Sequence, residues 1–341
     1  MARLWTDVID PQTLTGFARR ALQEYEAAKG TLARWLPNRQ VADISVRFVA
    51  GQAGLVEEAR YRAFDAEPEF GRGPTGKRVT IDLVALSQQG IISERDQLRL
   101  RNASDEVRTR ILADATRNAV FAIADRSERQ RGTVLVTGQA TINQDNYVDS
   151  ADFGRDESMA PTATALWTEG DADRMEQLVT WADHYQATNG TRPGALVMST
   201  RAARALAGGD ALATLLVDGS RRRATRDDVN GFLASEGLPP VTIYDRRTSA
   251  GRVVPDNVVL LLPEPVDTDG DSELGATFWG QTLAASEPDW EIEESEQPGI
   301  VAAAFTNEGI PPIRHTYADS LTLPVLANAN LAMAATVLPS A

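Results

Sequence analysis

The longest helical signal in the chain covers residues 104–131 and reads SDEVRTRILADATRNAVFAIADRSERQR. Its apolar residues recur about every four positions, the spacing that places them along one face of an α-helix. They are Val107, Ile111, Leu112, Ala115, Ala119, Val120 and Ile123. Ser104 is predicted to cap this helix and Gly132 to end it. At about 1.5 Å per residue the helix would span roughly 40 Å, so the rest of the chain is expected to be arranged around it.

Charges of opposite sign stand at the two ends of this predicted helix. Asp105 and Glu106 occupy its first turn, where the helix dipole is positive. Arg126, Arg129 and Arg131 occupy its last turns, where the dipole is negative. The charge pattern therefore supports the predicted positions of the two helix ends.

Composition excludes several classes of site. The 341-residue chain contains no cysteine, so disulfides, thiolate metal sites and cysteine nucleophiles are excluded. His184 and His315 are its two histidines, which argues against a multi-histidine metal centre, and His184 is read as structural. The start lacks a secretory signal, and no run of about 18 apolar residues is present. A cytoplasmic location without membrane association is expected.

The net charge of −14 argues against binding to a nucleic-acid backbone, which requires a basic excess on some face. The densest basic run is residues 221–223, followed by Arg226. A solvated loop or a subunit contact explains this run more simply than a DNA-binding patch.

Residues 1–43 are predicted to form an N-terminal arm. Asp10 or Thr13 can cap an amphipathic helix. Its apolar residues are Leu14, Phe17, Ala18, Ala21, Leu22 and Tyr25. Because so short a segment cannot bury this face by itself, it needs a partner surface, either on this chain or on a neighbouring copy.

Residues 44–92 are predicted to form an extended β-ribbon. The stretches ISVRFV and RVTIDLVAL alternate apolar and polar residues, as half-buried strands do, and EPEFGRGPTG between them is a turn-rich tip. An isolated two-stranded ribbon is marginally stable in water. The ribbon is therefore expected to lie across another surface.

The ribbon tip contains an incomplete phosphate-loop pattern. Residues 71–77 match G-x-x-x-x-G-K, but Arg78 stands where a serine or threonine would hold magnesium. No buried strand precedes the stretch and no helix is predicted after it, so nucleotide binding is not expected.

Two acidic clusters have residue types that occur in chemical sites. Asp149, Asp152, Asp156 and Glu157 surround Gly154 and could perform acid–base chemistry. Residues 267–273, DTDGDSE, have the aspartate spacing of a calcium loop, but Ser272 and Phe278 replace its glycine and its final glutamate. Solvated acidic loops explain both clusters better. No catalytic, cofactor-binding or metal-binding residue is therefore predicted.

The remainder of the chain divides into three predicted regions. Residues 93–150 contain the long helix, then strands at GTVLVTG (132–138) and around Tyr147. Residues 151–273 form an α/β region with helices at 171–188, from Thr200, and at 225–237, and with strands at ALVMS, VTIYD and VVLLLP. The helix at 225–237 begins with a capping box formed by Thr225 and Asp228. Residues 274–341 are β-rich and are expected to return to an already formed body.

This order of elements resembles the major capsid proteins of tailed phages, in their lambda-type branch, the major capsid protein E family. The residues that carry the resemblance are LPNRQVADISVRF (36–48), YRAFDAEPEFGRG (61–73), the helix from 104, GTVLVTGQATI (132–142), DSADFGR (149–155), VTIYDRR (241–247), VVPDNVVLLLP (253–263) and IRHTYADSLTLPVLANAN (313–330). Each stretch matches the family pattern only loosely, so the resemblance rests on the order and number of the stretches.

The resemblance implies the α+β Johnson, or Hong Kong-type, capsid fold. In that fold 1–43 would be an N-terminal arm, 44–92 an E-loop, 93–150 a peripheral domain, 151–273 an axial domain and 274–341 returning strands. It implies a non-enzymatic virion protein that assembles in the host cytoplasm. Pentamers and hexamers would close into an icosahedral head around double-stranded DNA.

The same resemblance implies a scaffolding protein, a portal, a maturation protease and a decoration protein as partners. Some relatives form a covalent bond between a ribbon lysine and an asparagine of a neighbour. Lys77 lies near the ribbon tip, but no surrounding signature accompanies it, so no crosslink is expected. The arm and the ribbon are both expected to contact adjacent copies.

Two alternatives remain open at this point. An encapsulin-like compartment would use the same fold to enclose an enzyme instead of DNA. A carboxylate-dependent hydrolase would use the acids between residues 149 and 157.

Overall fold

The computed structural model describes residues 2–50, 77–100, 103–144, 147–170, 172–209, 214–215, 221–222, 224–307, 309 and 313–340. The predicted ribbon tip, and most of the phosphate-loop-like stretch within it, lie outside these residues. The described helices are α1 (Pro11–Lys29), α2 (Glu94–Leu100), α3 (Asp105–Thr137), α4 (Arg174–Asn189), α5 (Thr200–Ala207) and α6 (Arg226–Ser235).

The described strands are β1 (Ala2–Leu4), β2 (Asn38–Gln40), β3 (Ser45–Ala50), β4 (Lys77–Asp82), β5 (Val84–Ile92), β6 (Gln139–Gln144), β7 (Tyr147–Asp152), β8 (Ala195–Met198), β9 (Thr214–Leu215), β10 (Arg221–Arg222), β11 (Val241–Ile243), β12 (Arg247–Thr248), β13 (Gly251–Arg252), β14 (Val258–Leu262), β15 (Gly275–Gly280), β16 (Val301–Asn307), β17 (Arg314–Leu326) and β18 (Met333–Thr336). They form a six-stranded sheet, a four-stranded sheet and several two-stranded ribbons.

The long helix α3 starts after Ser104, as predicted, but extends past Gly132 to Thr137. The predictions that Gly132 ends the helix and that residues 132–138 form a strand are therefore wrong. Gly132 serves close packing instead, since a Cβ there would lie 2.5 Å from the carbonyl oxygen of Val253. The helix ends at Gly138, whose left-handed φ of 72° and N–H bond to the Val134 carbonyl form a glycine C-cap.

The six-stranded sheet is built around the 13-residue strand β17. Strands β16 and β15 lie end to end along one side of β17, and β5 pairs with its other side. Strand β1 pairs with β16, and β2 pairs with β15, which completes the sheet. Helices α3 and α1 pack against this sheet, and their shared apolar residues form one core.

The four-stranded sheet has the order β11–β8–β14–β18, in which β11 and β8 are parallel and the other pairs antiparallel. Every residue of β8 and β14 is buried, as expected for strands covered on both faces. Helices α4, α5 and α6 contribute Leu178, Leu206 and Leu233 to this core. Val134 and Leu135 of α3 belong to the same core, so the long helix connects the two sheets.

Several local predictions are confirmed. Helix α1 is capped by Asp10, and helix α4 ends at Gly190. Helix α6 has both hydrogen bonds of the capping box predicted for Thr225 and Asp228. The α5 cap is Ser199, one residue before the predicted Thr200.

Candidate assembly surfaces

The β-ribbon leaves the body at the antiparallel pair β3–β4. Its register joins Ser45 to Asp82 at the base and Ala50 to Lys77 at the last described position. Val46 is buried in the main core, which anchors the base. Lys77 begins a strand, so the helix N-terminus that a phosphate loop requires does not follow it.

The ribbon is shorter at its return side than the sequence predicts. Leu83 is buried and separates β4 from β5. Strand β5 then pairs with β17 over nine residues, from Val84 opposite Thr322 to Ile92 opposite Arg314. Residues 84–92 therefore belong to the six-stranded sheet and not to the ribbon.

Helix α1 packs on its own chain. Leu14 and Ala18 are buried in the core that α3 and the six-stranded sheet form. The Thr15 hydroxyl accepts a hydrogen bond from the N–H of Ala302 at 3.0 Å and donates one to its carbonyl at 3.3 Å. The partner surface for the apolar face of this helix therefore lies on its own chain. A contact of its exposed face with a neighbour stays a prediction.

A buried ionic cluster holds α1 in place. Arg131 of α3 is fully buried, and its Nη1 donates to Glu26 Oε1 at 2.6 Å and to Glu128 Oε2 at 2.9 Å. Its Nε donates to Thr277 Oγ1 at 2.9 Å, and its Nη2 to Asn38 Oδ1 at 2.5 Å. Burial lowers the pKa of Arg131, but the two carboxylates outweigh this and hold the pKa above its ordinary value. The cluster therefore ties α1 to α3, β2 and β15.

Glu128 extends the cluster to the four-stranded sheet. Its Oε1 accepts hydrogen bonds from the Tyr244 hydroxyl at 2.5 Å and from the Leu32 N–H at 2.7 Å. Burial raises the pKa of Tyr244, and the negative charge of Glu128 raises it further. Arg246, two residues after Tyr244, pairs with Asp125 at 3.1 Å. Side chains that follow β11 are thus bonded directly to the long helix.

The sequence alone does not indicate this cluster. The predicted end of the helix at Gly132 places Arg131 in the last turn, where the helix dipole explains a basic residue. The one local signal is the i,i+3 spacing of Glu128 and Arg131, which allows an ion pair on a helix. Glu26 is 105 residues away in sequence, so nothing local indicates that it completes the site.

A second arginine, Arg155, binds the carboxyl end of α3, and no local sequence pattern indicates this role. Arg155 donates from Nη1 to the Leu135 carbonyl at 3.0 Å and from Nη2 to the Val136 carbonyl at 2.8 Å. These carbonyls are among the last of the helix, which have no partner within it. Burial lowers the pKa of Arg155.

The acids between residues 149 and 157 organise turns. Asp152 accepts the Gly154 N–H at 2.9 Å, and Asp156 accepts the Ser158 N–H at 2.9 Å. The bonds from Ser158 lower the pKa of Asp156. Throughout the residues described by the structure, no group of three or more acidic or histidine side chains is arranged to hold a metal ion. The Nε2 atom of His184 lies 2.9 Å from the Ser158 hydroxyl oxygen.

The calcium-like stretch also forms a turn. The Gly270 N–H bonds to the Asp267 carbonyl at 2.8 Å, and Asp271 forms an ion pair with Arg39.

Among the helices of the described segments, none is both long enough and apolar enough to cross a membrane.

Exposed apolar side chains and sheet edges remain as surfaces for association. Ile91 at the end of β5 is 75% exposed, and Leu98 of α2 is 55% exposed. Val107 in the first turn of α3 is also exposed. Within the described residues, β5 has no partner on the side away from β17.

No protein-family model and no curated protein sequence matches this chain. Two solved structures resemble it over their whole length. The proposed capsid protein of a prophage of Escherichia coli CFT073 is 13% identical, with 99% of each chain covered and a TM-score of 0.62. A phage-related protein from Bordetella bronchiseptica RB50 is 16% identical, with 99% of this chain and 100% of that chain covered and a TM-score of 0.56.

At these identities the likeness defines the fold. The chain has the α+β Hong Kong-type capsid fold, as the sequence resemblance led us to expect. Its placement in the lambda-type branch stays a prediction.

Proposed function

We propose that this protein is the major capsid subunit of a phage head, a structural protein without enzymatic activity. The observation that carries the proposal is the likeness of its fold to the proposed prophage capsid protein over 99% of both chains. Copies of the chain would form pentamers and hexamers that close into an icosahedral shell around double-stranded DNA. The division into arm, E-loop, peripheral domain, axial domain and returning strands is part of this proposal, with residues 84–92 outside the E-loop.

The ribbon is proposed to contact adjacent copies. Within the described residues, β3 and β4 pair with each other and with no third strand. Two-stranded ribbons are marginally stable alone, and an exposed strand edge favours pairing or coverage. A neighbouring subunit in a shell would provide that coverage.

Contact with packaged DNA is proposed to be non-specific. The net charge of −14 opposes adhesion of phosphate backbones to the shell. A scaffolding protein, a portal and a maturation protease are proposed as further partners, and a decoration protein would be an additional partner on the assembled shell. No covalent crosslink through Lys77 is proposed.

Expression of the full chain, alone and with a scaffolding protein from the same genome, followed by electron microscopy, tests this function. Closed shells or ring-shaped capsomers are expected. A monodisperse monomer under every assembly condition would overturn the proposal. Double-stranded DNA in particles from infected or induced cells supports a phage head, whereas a protein cargo would indicate an encapsulin-like compartment.

A variant with a shortened ribbon tests whether the ribbon is required for assembly. Ala50 and Lys77 face each other in the β3–β4 register, so an Asn-Gly turn can join them in place of residues 51–76. The variant should retain the melting temperature of the unassembled wild-type subunit and should not form shells. Shells of normal size from this variant would show that the ribbon is dispensable, while leaving the capsid function in place.

A further inference from the structure

The longest free sheet edge among the described residues is strand β5. The other strands at the edges of the two large sheets are β1, β2, β11 and β18, and each has three or four residues. Strand β5 has nine residues. Very short edge strands resist pairing with other chains, and long ones promote it.

The backbone of β5 is oriented so that half of its groups face this free edge. The Leu86 carbonyl accepts a bond from the Ser320 hydroxyl at 3.0 Å, and the Gly90 carbonyl one from the Thr316 hydroxyl at 3.4 Å, so both face β17. In an antiparallel strand the direction alternates with each residue. The N–H and C=O groups of Ala85, Ser87, Gln89 and Ile91 therefore point outward.

The sequence of β5 lacks the features that protect natural edges. Protected edges carry charged residues, especially lysine, or proline. The strand reads VALSQQGII and contains neither. The nearest acids along the chain, Asp82 and Glu94, lie beyond its two ends in β4 and α2. Asp319, which lies opposite Ser87, belongs to β17 on the side away from the free edge. In a chain with a net charge of −14, β5 is thus an uncharged strip on which two copies can meet without repulsion.

We propose that β5 pairs antiparallel with β5 of a second copy across a two-fold axis. Full overlap of residues 84–92 places the axis at Gln88, so that Gln88 faces its own copy and Ser87 faces Gln89. The same register places the exposed Ile91 against Ala85. A two-fold contact uses one patch twice, and this strand is complementary to itself. The inference rests on the proposed function, because it names the contact between shell subunits.

The absence of cysteine from the chain allows a direct test with the Gln88→Cys variant. Facing residues that do not bond to each other across antiparallel strands have Cα atoms about 4.5 Å apart, which a disulfide can bridge. Mild oxidation of the full-length protein should produce disulfide dimers on non-reducing gels. Their yield should be about tenfold above that of the control, since only this position meets the distance limits.

Two single-cysteine variants serve as controls. In Gln89→Cys the two sulfurs belong to diagonal positions with Cα atoms about 7–8 Å apart, beyond the usual disulfide limit. In Glu24→Cys the residue lies on α1, exposed and away from the edge. Equal dimer yields from all three variants would overturn the proposed pairing, because they would reflect random collision.

Proline substitution gives an independent measurement. The N–H of Gln89 points outward, so Gln89→Pro should preserve the pairing of β5 with β17 and the melting temperature. Added to Gln88→Cys, it should abolish the disulfide dimer. Unchanged dimer yield in this double variant would overturn the pairing.

Assembly of the wild type, followed in parallel, separates this inference from the proposed function. Shells in which Gln88→Cys stays monomeric after oxidation would overturn the β5 contact and leave the capsid function intact. A shell-forming protein that loses assembly with Gln89→Pro, yet never forms the disulfide dimer, would also overturn it, since another segment would then occupy the edge. Disulfide dimers without any shell would support the contact and count against the capsid function.

Discussion

The guanidinium of Arg131 and the carboxylate of Glu26 form a buried ion pair, with Nη1 and Oε1 2.6 Å apart. The two residues come from α3 and α1, and neither side chain is more than 5% exposed. Removal of one member of such a pair leaves an uncompensated charge in the interior. The attachment of the N-terminal helix therefore depends on this contact.

Arg131→Met should lower the free energy of unfolding of the unassembled subunit by about 3–5 kcal/mol, the range for breaking a buried ion pair. Urea denaturation monitored by circular dichroism measures this change. Arg20→Met is the matched control. Arg20 pairs with Glu24 on the exposed side of α1, where the loss should be at most about 0.5 kcal/mol. Equal effects of the two substitutions would contradict the assigned role of Arg131.

Gly132→Ala should destabilise the protein, although alanine favours helices. The new Cβ would lie 2.5 Å from the Val253 carbonyl oxygen, and relief of such overpacking costs about 1–3 kcal/mol. Gly16→Ala provides the opposite expectation within α1. Apart from its chain neighbours and the backbone of its own helix, no described atom lies within 4 Å of a Cβ built there. The higher helix propensity of alanine should therefore stabilise the protein by up to about 1 kcal/mol. Thermal unfolding of both variants checks the pair, and a stabilising Gly132→Ala would show that the contact does not constrain the helix.

Asp10→Ala should lower stability by about 1 kcal/mol near neutral pH, because Asp10 caps helix α1. The bond from the Thr13 N–H lowers the pKa of Asp10 below its ordinary value of 3.8. A lowered pKa means that the folded protein favours the carboxylate. The stabilisation that the charge provides is therefore complete above the ordinary pKa and is lost as the pH falls through the lower folded value.

Melting temperatures of wild type and Asp10→Ala, measured from about pH 7 down to pH 2, should consequently converge at the acid end. Asp10→Asn keeps a capping oxygen without the charge, so it should retain part of the stability and lose this pH dependence. A constant difference between wild type and Asp10→Ala at all pH values would contradict the electrostatic contribution of the cap.

The sequence determined those elements whose causes are local. The cap at Asp10, the capping box at Thr225 and Asp228, and the end of α4 at Gly190 each depend on residues within one helical turn. The burial of β14 follows from its continuous apolar run. The order of these elements resembles that of a capsid-protein family, and this resemblance predicted the fold class.

Tertiary structure decided what depends on distant residues. Whether Gly132 ends a helix or fits into a close contact depends on Val253, 121 positions away. Residues 84–92 alternate like a ribbon strand, and only the presence of β17 assigns them to the six-stranded sheet. Arg131 is a surface charge or a buried anchor according to the position of Glu26. Periodicity records which face of an element is apolar, but the partner that covers it is chosen by packing across the whole chain.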